Sequence, residues 1–283
     1  MQKWRLKEST KKATKKASFH RKNSRKPLFL YYINNKYRLV FHCENPMRNI
    51  QMSEKLYTDK NSDYLKQNPT WHVQDSSWKA SNILNILNRN HITPKSISEV
   101  GCGAGEILNQ LHAALPDNIE FTGFDISSDA IRLASEREKQ RLTFKNENFL
   151  ELNRKFDLVL IMDVFEHVED YVGFLKKCKG KAEYTVFHIP LDLSAQSILR
   201  NKLIYERKTL GHLHYFMKET ALATLVDSGY EIVDHFYTNG ALERPSNTFK
   251  SRMIAWPRRI LYKINKDFAV KLLGGCSLLV LAK

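Results

Sequence analysis

Cysteine is scarce in this chain. Cys43, Cys102, Cys178 and Cys276 are the four in 283 residues, and no two of them form a Cys-x-x-Cys pair. That scatter argues against a disulfide framework or a thiolate zinc site and fits reduced thiols in a cytoplasmic protein. Long apolar runs are missing too, since no stretch reaches the roughly 18 uninterrupted apolar residues that a membrane-spanning helix requires. The longest early run, 27–33, is too short and too aromatic for a signal-peptide core, and no small-residue cleavage site follows it. Acidic residues are nearly absent from the first segment: residues 1–51 hold 14 Lys/Arg against 2 Asp/Glu. The rest of the chain holds 31 against 28, so the net charge of +15 sits chiefly at the N-terminus. A catalytic face that gripped a phosphate backbone would carry that surplus itself, so nucleic acid is not an expected partner except through residues 1–51.

What is present suffices for a folded body, with 42% hydrophobic and 11% aromatic residues. Residues 1–26 are rich in Lys, Ser and Thr and poor in aliphatic side chains. Such a stretch buries too little apolar surface to offset the entropy of ordering, and disorder is expected there. Within the segment 1–51, a strand pair over 28–33 and 37–42 is the one exception. Three readings of this extension stand: a nucleic-acid or anionic-lipid binder, a Lys-rich targeting segment, or a solvated extension before a start near Met47 or Met52. The last is preferred.

From Met52 onward the composition is that of a folded protein. Trp78, Ile83, Leu84 and Leu87 recur at helical spacing, and residues 52–95 read as a helical cap. Strands then alternate with helices. The strands are expected over 96–101, 119–125, 142–146, 156–163 and 183–190, and the helices over 105–114, 128–140, 171–177 and 217–228. Such alternation predicts βαβ units and a mostly parallel sheet. Strands over 230–237 and 276–282 close the pattern, with an insertion or lid over 239–275 between them. Pro257 suits the first position of a helix there, because its missing N–H is harmless at that place.

Four segments carry chemistry. Ser98-Glu99-Val100-Gly101-Cys102-Gly103-Ala104-Gly105-Glu106 joins an apolar strand to a helix, where glycines allow a sharp turn and a close approach to a ligand. Its G-x-G-x-G spacing differs from the dinucleotide G-x-G-x-x-G fingerprint, which weighs against a nicotinamide-dependent oxidoreductase. Glu99 has no use for a pyrophosphate but suits a cationic amino-acid group. Asp125, twenty positions beyond Gly105, ends the second strand. A carboxylate there can accept both ribose hydroxyls of an adenosine; capping the helix from Ser128 is its alternative role. The third segment is Asn146-Glu147-Asn148-Phe149. The fourth is the apolar strand 156–163, which breaks into Asp163, Glu166 and His167 at the carboxyl edge of the sheet, where open α/β sheets bind ligands.

Taken in order, E-V-G-C-G-A-G, G-F-D-I-S, N-E-N-F and F-D-L-V-L-I-M-D-V-F-E-H-V resemble the class I S-adenosylmethionine-dependent methyltransferases. The resemblance is strong over about 96–168 and weak beyond. The E-H-V run is similar to the branch of ubiquinone-biosynthesis O-methyltransferases and other small-molecule enzymes. The resemblance implies a Rossmann-like, seven-stranded, mostly parallel sheet with helices on both faces and an antiparallel C-terminal strand, over residues 96–283. It implies S-adenosylmethionine as cofactor. Glu99, Gly101, Gly103 and Gly105 would surround its methionine part, Asp125 its ribose, Ile126 and Phe149 its adenine, and the Met162 backbone its amino group. Asn148 stands where the family usually carries Asp, and its amide oxygen can still accept from the adenine amine.

Of the histidines expected at the carboxyl edge, His167 is the first choice for a general base, with a structural role beside the cofactor as the rival. His188 reads as a core contact. The alternation in 211–216 places His212 and His214 on one side, as an acceptor-site wall, or as a metal site if a carboxylate joined them; without further ligands two histidines at that spacing are a weak set, and no metal is expected. Residues 250–266 interleave basic and apolar side chains, as an ordinary amphipathic helix or as a peripheral membrane contact. The function these readings imply is methyl transfer to a small-molecule or lipid-linked acceptor, at oxygen rather than nitrogen or carbon. The alternatives are an RNA or protein methyltransferase docking through residues 1–51, and a non-catalytic cofactor-binding protein.

Overall fold

The computed structural model describes residues 7–9, 16–19, 28–33, 36–40, 73–243 and 249–283, with side chains from Val73 onward except at 241, 242, 249–255 and 257. The chain divides into two compact units, Met1–Gln51 and Met52–Lys283. In the first unit β1 (Lys7–Ser9), β2 (Lys16–Phe19), β3 (Leu28–Ile33) and β4 (Lys36–Val40) pair in sequence order, each antiparallel to the next. The sequence places disorder over 1–26, yet β1 and β2 fall inside that range. The apolar, aromatic run LFLYYI of β3 is a strong strand former, and its ladder offers backbone partners that ask no apolar side chain of the neighbour.

The second unit begins with α1 (Ser76–Arg89), whose buried Ala80, Ile83, Ile86 and Leu87 lie along one face. It continues through β5 (Ser96–Val100), α2 (Glu106–Ala114), β6 (Glu120–Phe124), α3 (Ser128–Ser135), β7 (Leu142–Lys145), β8 (Phe156–Met162), α4 (Tyr171–Cys178) and β9 (Ala182–Pro190). After these come α5 (Ala195–Leu199), α6 (Lys202–Thr209), α7 (Lys218–Asp227), β10 (Ile232–Thr238), α8 (Gly240–Glu243), α9 (Phe249–Ile264), α10 (Lys266–Leu273) and β11 (Ser277–Ala282). The seven strands β5–β11 form one sheet in the order β10-β11-β9-β8-β5-β6-β7. β7, β6, β5, β8 and β9 are parallel, and β11 runs antiparallel between β9 and β10. The chain leaves β5 in both directions, toward β6 on one side and β8 on the other. A cleft opens at such a reversal, above the carboxyl ends of the strands.

Successive residues of β8 serve opposite faces of the sheet. Val159 and Ile161 join one apolar cluster, with Phe174 and Leu175 of α4 and Leu225 of α7. Leu158 and Leu160 join the other, with Ile83 and Leu87 of α1 and Leu108 and Leu111 of α2. A strand covered on both faces needs the continuous apolar run that β8 has.

Two of the expected boundaries are off by more than two residues. The helix expected over 128–140 ends at Ser135. The Glu138 side chain turns back to accept from Phe144 N at 3.0 Å, and the backbones of Lys139 and Leu142 bond each other. The polar 136–141 run thus closes a tight turn into β7. Pro257 lies well inside α9 and does not start it. An interior proline removes one helical bond and opposes the helix by about 3 kcal/mol, so the amphipathic residues on either side of it must outweigh that penalty.

Candidate active site

The turn after β5 is the centre of the cleft. Gly101, Gly103 and Gly105 have φ of 68°, 54° and 75°, a left-handed region open mainly to glycine. A Cβ on Gly105 would stand 2.4 Å from the Phe144 ring, so that position also lacks room for a side chain. Gly101 N and Cys102 N donate to Phe124 O at 2.8 and 3.1 Å, tying the turn to the end of β6. Gly103 N donates to Asp125 Oδ2 at 2.9 Å, and Ser127 N donates to Asp125 Oδ1 at 2.8 Å. The Asp125 carboxylate is thereby fixed in plane, with lone pairs remaining on both oxygens. Its burial raises its pKa, and the backbone donors of Ser127, Gly103 and Ile126 pull against that rise. The cap of α3 is Ser127, which accepts from Ala130 N, so Asp125 does not cap that helix directly.

Glu99 is 1% exposed and lines the cleft beside the turn. Its Oε2 has no hydrogen-bond partner. Burial raises its pKa to about 8, against the pull of Lys79, and the nearby Asp125 charge adds to the rise. A buried carboxyl in this state calls for a cation.

The remaining residues singled out from the sequence divide in two. Ile126, Asn148, Phe149 and Met162 all line the same cavity of about 830 Å³. Ile126 is exposed to it, whereas Phe149 is mostly a core residue in ring contact with Phe124 and Phe156. The Asn148 amide caps a short turn: Oδ1 accepts from Leu150 N at 3.1 Å and Nδ2 donates to Glu151. His188 is buried at the end of β9, 2.6 Å from Asp163 and 3.0 Å from Thr238. His167 lines the cavity. Burial, with the neighbouring His212, lowers its pKa to about 4, which leaves the ring neutral at ordinary pH.

His212 and His214 do not act together. His214 bonds Val168 O at 2.9 Å and lies on the Tyr171 ring, while His212 turns to Asp192 at 2.6 Å and to the His167 ring at a centroid distance of 4.9 Å. The segment is irregular rather than an extended strand, so its alternation fixes no common face.

Sequence reasoning named Asp163 and Trp78 but missed Lys79 and the layer that joins them. Asp163 takes φ of 56° directly after β8 and meets Lys79 of α1 at 2.6 Å. Burial raises the Asp163 pKa, but the charges and hydrogen bonds of His188 and Lys79 outweigh it and hold the carboxylate well below its ordinary range. For Lys79, burial is outweighed in the same way by Asp163, with Glu99 and Glu166 adding to the upward shift. Trp78 packs edge-on against His188. Trp78 and Lys79 bring α1 into the cavity wall. Trp78 was legible as part of that helix, whereas Lys79 had no signal beyond the helical spacing of its neighbours.

The fold and part of the sequence are similar to those of known proteins. Residues 98–182 match a family model described as "Methyltransferase domain". A ubiquinone biosynthesis O-methyltransferase of Actinobacillus pleuropneumoniae serotype 7 (strain AP76) is 29% identical over 152 residues, which is 47% of this chain and 61% of that protein. The namesake of Nitrosomonas europaea is 28% identical over 146 residues, 46% of this chain and 60% of its own. The chain thus spans about three fifths of the length of these relatives. Among solved structures, magnesium protoporphyrin IX methyltransferase from Synechocystis PCC 6803 with bound SAM superimposes with a TM-score of 0.52 at 14% identity, over 83% of this chain and 98% of that one. The plantazolicin methyltransferase BamL gives 0.51 at 14% identity, over 82% and 93%. The matched stretch is similar to a methyltransferase domain, and the fold is shared with solved methyltransferase structures. The stretch with curated relatives is similar to ubiquinone-biosynthesis O-methyltransferases.

Proposed function

We propose that this protein transfers a methyl group from S-adenosylmethionine to an oxygen of a small-molecule or lipid-linked acceptor. The observation that carries this reading is the pair of carboxylates around the glycine turn. Asp125 is held in plane by two backbone amides with lone pairs to spare for a diol, and Glu99, with its Oε2 unpartnered, stands beside it in the same cavity. These two groups fit the ribose and the ammonium of an adenosyl amino acid. The cofactor supplies an activated methyl on a sulfonium when bound. The protein's part is to align the acceptor and exclude water, which in favourable cases supplies several kcal/mol of barrier reduction. His167 is the general base of this reading, neutral and facing the cavity.

Oxygen as the accepting atom is supported by the names of the relatives. A lipid-linked acceptor is supported by α9, where Trp256, Ile260 and Ile264 are exposed at i, i+4 and i+8 beside Arg259 and Lys263. An apolar stripe flanked by basic residues suits the surface of an anionic membrane.

The test is calorimetric titration with S-adenosylhomocysteine, followed by an assay of its release against phenols, sugars, lipids and tRNA. Asp125→Ala removes two charge-assisted hydrogen bonds to the ribose, each about 1.5–3 kcal/mol, so affinity should fall about a hundredfold or more. Undiminished binding by Asp125→Ala, or no affinity in the unaltered protein, refutes the assignment.

A further inference from the structure

His212 and His214, which the sequence reading sets side by side, part company in the fold, and His212 meets a carboxylate. Its Nδ1 stands 2.6 Å from Asp192 Oδ2. We infer that His212 Nε2 takes the proton of the acceptor hydroxyl, with Asp192 as its positioning residue. The inference rests on the methyl-transfer reading and moves one role within it, from His167 to His212.

The backbone around this pair is tied down on every side. Asp192 follows β9, and both of its neighbours are bonded: Leu191 N donates to Cys276 O at 3.1 Å and Leu193 N to Phe216 O at 3.0 Å. The second bond joins the Asp192 segment to the far end of 211–216. At the near end Gly211 N donates to Glu206 O at 3.1 Å. Between them Leu213 N and His214 N both donate to Glu166 O, at 2.8 and 3.1 Å. The His212 side chain is 7% exposed and that of Asp192 14%, and both residues line the cavity. They lie beyond β9, two strands across the sheet from the glycine turn after β5. The dyad and the Glu99–Asp125 pair thus face the cavity from different strand ends.

Chemistry distinguishes the two imidazoles. A carboxylate only accepts, so the short contact places the His212 proton on Nδ1 and leaves the Nε2 lone pair as the basic site. The imidazolium that forms on proton uptake lies against Asp192, which holds the tautomer and stabilises the charge. His167 is oriented by the Gly211 backbone, and its Nε2 stands 3.8 Å from Glu166 Oε1, beyond hydrogen-bond reach. Burial, followed by the nearby His212, lowers its pKa to about 4. A base works best with a pKa near the operating pH, so a ring held that low is a poor proton acceptor. His167 instead forms the wall on which His212 packs edge-on, 4.9 Å between ring centroids.

In the step itself the acceptor oxygen attacks the sulfonium methyl while its proton passes to His212 Nε2. The new C–O bond forms as the methyl–sulfur bond breaks, and the bonding pair stays on sulfur, leaving a neutral thioether. The His212 proton returns to solvent after the product departs.

Two measurements on the full chain test the dyad. The first needs no acceptor. Nitrogen-15 NMR of the imidazoles in mildly alkaline buffer, with the His212 signals assigned through His212→Gln, should show the Nδ1–H tautomer. Asp192→Asn should shift that ring toward Nε2–H. An Nε2–H tautomer in the unaltered protein overturns the proposal. The second measurement is methyl transfer to catechol, a small phenol probe. His212→Gln and Asp192→Asn should each lower kcat by about 10²–10⁴-fold with little change in KM. The double variant should be no worse than His212→Gln alone, since the two residues act as a unit. Added imidazole should restore part of the turnover of His212→Gly, a rescue that a merely structural histidine does not show. Full turnover in His212→Gln with the loss in His167→Gln instead returns the base to His167 and overturns the proposal. Affinity for S-adenosylhomocysteine, by calorimetry, reports separately on the cofactor half and should be unchanged in both single variants. Its absence from the unaltered protein sinks the methyl-transfer reading, whereas retained affinity with the wrong tautomer sinks the dyad alone.

Discussion

Glu99 makes a quantitative prediction about pH. Its carboxyl is raised to about 8 by burial in the unliganded protein. At pH 7 only about a tenth of the molecules then carry the charge that an ammonium needs, at a cost of about 1.4 kcal/mol per pH unit below the pKa. Binding a protonated amino group drives the remaining nine tenths to release a proton. The sign follows from linkage: the complex holds fewer protons than the free protein, so affinity rises with pH up to the free-state pKa. Log K for S-adenosylhomocysteine should climb by nearly one unit per pH unit between pH 6 and about 7.5. It should level near pH 8, where an ordinary α-amino group, with a pKa of about 7.7–8.0, begins to lose its own proton. Calorimetry at pH 7 in two buffers of different ionisation enthalpy should report a net release of about 0.8 proton per site, the neutral fraction of the amine taking up the difference. Glu99→Gln should bind more weakly and lose most of that slope. A flat profile in the unaltered protein, or an equal slope in Glu99→Gln, refutes the role given to Glu99.

Gly105→Ala should destabilise the fold by about 2–4 kcal/mol, from a left-handed φ and overpacking against the buried Phe144 ring. Urea unfolding measures it, and a loss under about 0.5 kcal/mol, the size of an ordinary surface change, contradicts the packing. Lys79→Met and Asp163→Asn each break an ion pair whose side chains are 14% and 26% exposed. Each should cost about 1–3 kcal/mol, less than the roughly 3–5 kcal/mol of a fully buried pair. Combined, they should cost at least about 1 kcal/mol less than their sum, and strict additivity in a double-mutant cycle would show that the two do not interact.

The sheet was readable because its signals are local. The apolar run of β8 and the glycines after β5 each specify a conformation within a few residues. Asp125 was readable for the same reason: it ends a strand, and a strand tip in such a sheet faces the cleft. What escaped depends on partners far apart in sequence. Lys79 and Asp163 are 84 positions apart and meet only once α1 has docked on the sheet. His212 was visible as a residue, but its partner was not. An irregular segment takes its orientation from its tertiary hydrogen bonds, here those to Glu166 O, so period-two reasoning had no strand on which to act. α3 was read too long because the polar 136–141 run has helix-forming composition, while its bonding serves a turn.

The charge of the cavity bears on what can enter it. The whole chain carries +15, but the residues lining the cavity are ten Asp/Glu and two Lys, Lys79 and Lys202. Lys79 is bound to Asp163 and Lys202 to Glu206, each at 2.6 Å. With both lysines paired and Asp125 and Asp192 also on the wall, the interior is suited to cations and opposes anions. A sulfonium gains from such a wall. A polyphosphate backbone is repelled by it, since phosphate sites are built from Arg, Lys and backbone N–H groups. An RNA acceptor would have to bring its target base into an acidic pocket against that field. A neutral hydroxyl compound meets no such penalty, which favours the small or lipid-linked acceptor over nucleic acid despite the basic segment 1–51.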